Sequence, residues 1–242
     1  MVETGKARAR AQGEWTFFAI MSLLVAAVVA AGFGPTYAAS LAPPGLPIWV
    51  HLHGAVMTAW IVLFAVQAAL VRRRSLPLHR SLGLASIALV IVMLPLGMAT
   101  NLQAIERGAT PPFFTPEQVF AADFCDMALF TALYVAALLL RHRPEWHKRL
   151  LLSATVLLSW PAIARLRLVQ HFGLDAIVPV SIAILVAMAL AGPVHDLATR
   201  KRVHPAYAWG VGAVIALYPL YNLLAATAPV RAIVASVLPG AG

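Results

Sequence analysis

Residues 48–74, IWVHLHGAVMTAWIVLFAVQAALVRRR, decide the fold. From Ile48 to Val71 no residue carries a formal charge, and the run then ends in Arg72-Arg73-Arg74. A stretch of about 20 apolar residues matches the hydrocarbon thickness of a bilayer when helical. Lipid offers the backbone no hydrogen-bond partners, so such a stretch must be a helix that satisfies itself. Six more apolar runs share this character. The predicted spans are 15–33, 48–71, 82–100, 119–140, 150–169, 176–194 and 206–226.

The arginines that close the quoted stretch recur in a pattern. Lys6, Arg8 and Arg10 precede the first span; Arg72, Arg73, Arg74 and Arg80 follow the second. Arg141, Arg143, Lys148 and Arg149 separate the fourth and fifth, and Arg200, Lys201 and Arg202 the sixth and seventh. These are fourteen of the eighteen Lys and Arg, and seven crossings put all of them on one side. Short basic loops stay in the cytoplasm, so the reading is an all-α bundle of seven transmembrane helices, N-terminus inside and C-terminus outside.

Composition excludes the main alternatives. Apolar residues make up 61% and charged residues 11%, outside the soluble range. The net charge of +9 is explained by orientation and by anionic lipid, so no nucleic-acid partner is expected. The expected partners are the bilayer and a small ligand, with an oligomer left open. The first apolar run lacks a small-residue cleavage site and counts as a span, although Ala38-Ala39-Ser40 follow it. A lone cysteine, Cys125, excludes an internal disulfide and any CxxC motif. One domain, residues 1–242, is expected. Thr115-Pro116-Glu117-Gln118 carries the capping-box pattern of a helix start. The segment from Thr227 to Gly242 either forms a short amphipathic helix on the outer surface or frays.

Three basic loops share one grammar. Each is a basic cluster with a proline and a histidine at the next helix entry, which gives a lone first helix followed by three similar hairpins. The histidines are His79, His147 and His204. They are read either as interfacial polar residues or as a converging metal or proton site.

The opposite ends of the spans hold the remaining polar residues. On the second helix the stripe His53, Met57, Trp60, Phe64 and Gln67 keeps one face, which is expected to look inward, while His51 points elsewhere. On the fourth, Asp123 and Asp126 share a face. Carboxylates at membrane depth need partners, and Arg165 and Arg167 on the fifth helix are the candidates, followed by His171. Pro161 is expected to bend the fifth helix. Tyr221 and Asn222 on the seventh lie at the same level. The layer is either a set of ion pairs that holds helices together or a pocket. As a pocket it binds a transition metal or haem, with His53, Asp126 and His171 as ligands and Arg165 orienting an anionic group. The competing reading is a transporter or ligand-binding protein with no cofactor, and a third is a structural accessory subunit. No Walker loop, GxGxxG or GxSxG is present, no lysine within a span offers a retinal Schiff base, and no reaction is identified.

The motifs His51-x-His53…Trp60…Gln67…His79-Arg80-x-Leu82-Gly83 and Arg143-Pro144-x-x-His147-Lys148-Arg149-Leu150…Pro161-Ala162-x-x-Arg165 resemble those of a group of uncharacterised bacterial multi-span proteins. The resemblance covers the second to fifth helices. It implies the bacterial inner membrane and brings no activity. Histidines in helical hairpins are also loosely similar to those of small b-type cytochromes and haem-handling membrane proteins.

Overall fold

The computed structural model describes residues 2–40 and 45–238, with side chains from 12 to 39 and from 45 to 238. The side chains of Lys6, Arg8 and Arg10, and residues 239–242, lie outside the described residues. Among the described residues there are ten helices and no strand: α1 Val2–Ser40, α2 Ile48–Arg72, α3 Leu76–Glu106, α4 Pro116–Leu139, α5 Pro144–Leu157, α6 Trp160–Ala164, α7 Arg167–Gln170, α8 Leu174–Arg200, α9 Ala206–Ala225 and α10 Ala228–Val237.

Six of these, α1 to α4, α8 and α9, are long and apolar enough to cross a membrane. Their outward surfaces are greasy: Leu23, Leu84, Ile91, Trp209 and Leu223 are each at least 64% exposed. A water-soluble protein rarely presents so much contiguous apolar surface, so the surrounding medium is lipid. The chain is a multi-pass membrane protein.

The predicted fifth span is not one helix. The segment forms α5, α6 and α7, with breaks at Leu158–Ser159 and Arg165–Leu166. Pro161 has no N–H to give to the Leu157 carbonyl, so the helical ladder fails there. Leu166, extended at φ −61° and ψ 131°, makes the second break. Even so, the path runs beside α1. Arg149 of α5 meets Glu14 at 3.0 Å, and farther on Arg165 stacks over the Phe33 ring at 4.8 Å. Nineteen residues separate Glu14 and Phe33, about 28 Å of helix.

Central in the bundle is α4, which packs on α3, α5, α9 and α10. Its start matches the sequence signal: the Gln118 N–H donates to Thr115 Oγ1 at 3.2 Å, and the Thr115 N–H donates to Gln118 Oε1 at 3.0 Å. The chain after Thr227 forms α10, whose Val230 and Val234 pack on Ile105 and Phe120.

The glycines separate by neighbour. A Cβ on Gly32 would lie 2.1 Å from the Ala162 carbonyl oxygen, and one on Gly210 would lie 2.0 Å from Ser153 Oγ. Those two admit close packing of α1 on α6 and of α9 on α5. Gly34, two residues farther along α1, faces open space.

Contacts between helix ends sort the loops into two groups. The start of α1, the end of α2, the starts of α3 and α5, and the end of α8 meet through Glu14–Arg149, Gln67–His79, His79–His147 and Arg149–Asp196. The end of α1 meets the start of α2 through Tyr37–His51, and the start of α4 meets α3 and α9 through Asn101–Val119 and Gln118–Asn222. The first end, called the basic end below, carries the basic loops.

Candidate functional site: a saturated and an unsaturated polar layer

At the basic end, Arg149 is fully buried, and so is its partner Asp196. All five guanidinium donors of Arg149 are used. Nε donates to Asp196 Oδ2 at 3.1 Å, and Nη2 to Asp196 Oδ1 at 2.7 Å and Glu14 Oε1 at 3.0 Å. Nη1 donates to the Glu145 carbonyl at 3.0 Å and to Glu145 Oε2 at 2.8 Å. Lys148 pairs with Glu14 at 2.9 Å and Glu145 at 2.7 Å; Arg200 pairs with Glu14 and, at 2.7 Å, with Glu145. Three carboxylates meet three cations, so the cluster is neutral and its strongest donor has no capacity left. It joins α1, α5 and α8. Sequence reading missed Glu14 and Asp196; the available signal was an acid at a span end with Arg200 four residues on.

Burial pushes the Glu145 carboxyl up, but the hydrogen bond from Lys148 and the charges of Lys148, Arg149 and Arg200 outweigh it and bring it down to about 2. A depressed carboxylate contributes stability in full above its unfolded pKa and loses it as pH falls through its folded value. The melting temperature of wild type in detergent is therefore expected to fall between about pH 4.5 and 2 by more than that of Glu145→Gln. Parallel curves would contradict this.

The three loop histidines converge in part. The His79 and His147 rings lie 6.4 Å apart, centroid to centroid. His204 instead meets Trp146 at 5.1 Å, and its backbone N–H donates to Asp196 Oδ2 at 3.2 Å. His147 Nδ1 is 2.8 Å from the Ala137 carbonyl, which makes Nδ1 the protonated nitrogen. His79 Nδ1 is buried with no partner.

At the other end the second-helix stripe does face inward. The ring of His53 lies where a Cβ on Gly97 would be 3.8 Å from its Cε1, beside Met127. Trp60 is buried and meets Phe130 at 5.0 Å and Tyr134 at 5.5 Å. Gln67 Nε2 donates to the His79 carbonyl at 3.1 Å. His51 turns to Tyr37 at 2.7 Å.

The aspartates divide. Asp123 is half-buried and forms no ion pair among the described residues, and Asn101 of α3 donates to the Val119 carbonyl at 3.2 Å in the same layer. Asp126, 6% exposed, has no ion-pair partner among the described residues, and its Oδ1 accepts no hydrogen bond. The expected Asp126–arginine pair is thus corrected: Arg165 donates to the Pro161 carbonyl at 2.8 Å and forms no ion pair with either aspartate, while Arg167 is exposed. His171 ends α7, also exposed. Tyr221 is buried against Phe114 and Tyr218, and Asn222 accepts from Gln118 Nε2 at 2.9 Å.

Among the described residues no three His, Cys, Asp or Glu side chains come together as a metal site requires. His53, Asp126 and His171 are therefore not gathered into the expected metal centre: His53 lies by Gly97 and Met127 in the interior, whereas His171 is exposed. Depth along a helix puts residues in one layer, but rotation about each axis decides whether they meet.

Seven buried side-chain atoms have no hydrogen-bond partner: Trp60 Nε1, Gln67 Oε1, His79 Nδ1, Asn101 Oδ1, Asp126 Oδ1, Ser181 Oγ and the Tyr207 hydroxyl. Five belong to α2, α3 and α4. They descend from Asn101 and Asp126, past Trp60 and the Ser86–Tyr134 hydroxyl pair at 2.7 Å, to Gln67 and His79. Comparison with protein-family models, with curated proteins and with solved structures gives no match for this chain.

Proposed function

We propose that this chain is a bacterial inner-membrane transport protein of seven crossings, the fifth being the broken α5–α7, with its N-terminus inside. It carries a proton, alone or with a small polar solute, along the interior of α2, α3 and α4. The observation behind this reading is the string of unpartnered polar atoms from Asp126 to His79. Each buried group without a partner costs about 1–3 kcal/mol, a cost that a purely structural core avoids. Ionisable groups within membrane spans mark ion pathways by default. His53 and Asp126 stand at one end of the string and His79 and His147 at the other, so groups able to take up a proton flank a middle of Trp60, Ser86 and Tyr134.

Liposomes holding a pH-sensitive dye test this. Under an imposed pH gradient, the wild-type protein equilibrates protons faster than protein-free liposomes. Asp126→Asn, which keeps the shape, slows the exchange at least tenfold while its melting temperature stays equal to or above that of wild type. Exchange no faster than in empty liposomes sinks the proposal, as does full activity in Asp126→Asn.

The seven-crossing topology draws on the basic loops gathered at one end and on α5–α7 running beside α1. A reporter fused after Gly242 is expected to be active only outside the cytoplasm, and one inserted at 72–75 only inside. The reverse result at either site contradicts it.

A further inference from the structure

A groove of about 500 Å³ opens between α1 and α2 at the basic end, lined by Ala19, Ser22, Leu23, Ala65, Ala69, Arg72 and Arg73. Its volume is in the range of sites that hold small molecules, roughly 300–1,000 Å³. We propose that it binds one anionic phospholipid, with the phosphate at Arg72 and Arg73 and an acyl chain along Ala19, Leu23, Ala65 and Ala69.

Charge accounting singles out this corner. Lys148, Arg149 and Arg200 are neutralised by Glu14, Glu145 and Asp196. Arg72 and Arg73 are exposed and pair with no carboxylate among the described residues. Among the described side chains Glu14 is the acid of α1 at this end, and three cations already occupy it. Arg141 and Arg143 are likewise without carboxylates, but they do not line the groove. The groove floor is made of small side chains, and Ser22 does not offer its hydroxyl proton because that proton goes to the Ala19 carbonyl at 2.8 Å. An apolar slot that ends in two unpaired guanidiniums matches a molecule with a hydrocarbon tail and a net negative head. Guanidinium pairs phosphate through parallel hydrogen bonds, and basic pockets between helices select anionic lipid.

The test uses the full chain in nanodiscs of phosphatidylcholine, titrated with phosphatidylglycerol of the same chain length and read by melting temperature. Phosphatidylglycerol raises the melting temperature saturably, and inorganic phosphate at equal concentration does not. Arg72→Gln with Arg73→Gln weakens the apparent affinity about 25-fold, the roughly fivefold per basic residue that a headgroup contact supplies. Ala69→Leu, which fills the slot and keeps both arginines, also abolishes the saturable rise. Arg141→Gln with Arg143→Gln removes the same charge away from the groove and leaves the affinity within a factor of two. Equal loss in that control means general surface charge and overturns the site. A shift reproduced by phosphate alone, or an unchanged affinity in the Arg72/Arg73 variant, overturns it as well.

Discussion

Replacing Arg149 by alanine is expected to cost about 3–5 kcal/mol, the range measured when one partner of a buried ion pair is removed. The loss is large because Arg149 serves three acids at once. Without it Asp196, 1% exposed in its side chain, is left with the His204 N–H at 3.2 Å, Arg200 Nε at 3.7 Å and His195 Nδ1 at 4.0 Å. Lys148→Ala is the contrast. Glu14 and Glu145 keep Arg149 and Arg200 when it is gone. Denaturant titration in detergent micelles should find Arg149→Ala the more destabilised of the two, because Lys148 leaves behind acids that are still paired whereas Arg149 leaves a buried one. Equal midpoints would mean that the cluster is wet. The combination Arg149→Met with Asp196→Leu should recover a good part of the loss, since apolar replacements for a whole buried pair are often neutral.

Gly32→Val should be the second severe change. Its Cβ would meet the Ala162 carbonyl oxygen at 2.1 Å, and the Ala162 carbon and Cα within 3 Å. These are backbone atoms, so no rotamer relieves the clash, and α1 must move off α6. Overpacking of this kind costs typically 1–3 kcal/mol. Gly13→Val introduces the same side chain into the same helix with nothing within 4 Å. The difference between the two variants therefore removes the effect of helix propensity and reports the clash alone. Equal melting temperatures would show that α1 and α6 are not in contact there.

How much of this could be read beforehand follows from which quantities a sequence records. Apolar length is recorded directly. The sequence places α2 at 48–71 and the structure at Ile48–Arg72; the cap at Thr115 is likewise local and correct. α1 and α3 overrun their predicted ends, to Ser40 and Glu106, because polar residues outside the hydrocarbon continue a helix at little cost. The break in the fifth span was half legible. Pro161 announces a bend, yet Leu166 has no such mark and extends because of its surroundings. Of the expected ligand set, burial singles out Asp126 and exposure removes His171, a distinction that needs the rotation of each helix. Glu14 and Asp196 escaped notice because each is a single acid beside basic residues, and only the fold shows that they share one guanidinium.

The broken segment α5–α7 also bears on how the chain is made. A helix leaving the ribosome enters lipid by its own apolarity, and an arginine at a helix centre costs about 2.5–3.5 kcal/mol on the insertion scale. The segment α5–α7 carries Arg149, Arg165 and Arg167 and two interruptions in its ladder. It has little to commend it to lipid until Glu14 and Asp196 can take Arg149. Asp196 is synthesised 47 residues after Arg149. The expected order of biogenesis is that α1 to α4 enter first and that α5–α7 settle only when α8 supplies Asp196. A nascent chain stopped before Asp196 should leave this segment open to water-borne thiol labelling at a cysteine placed in α5, and one released after His204 should not.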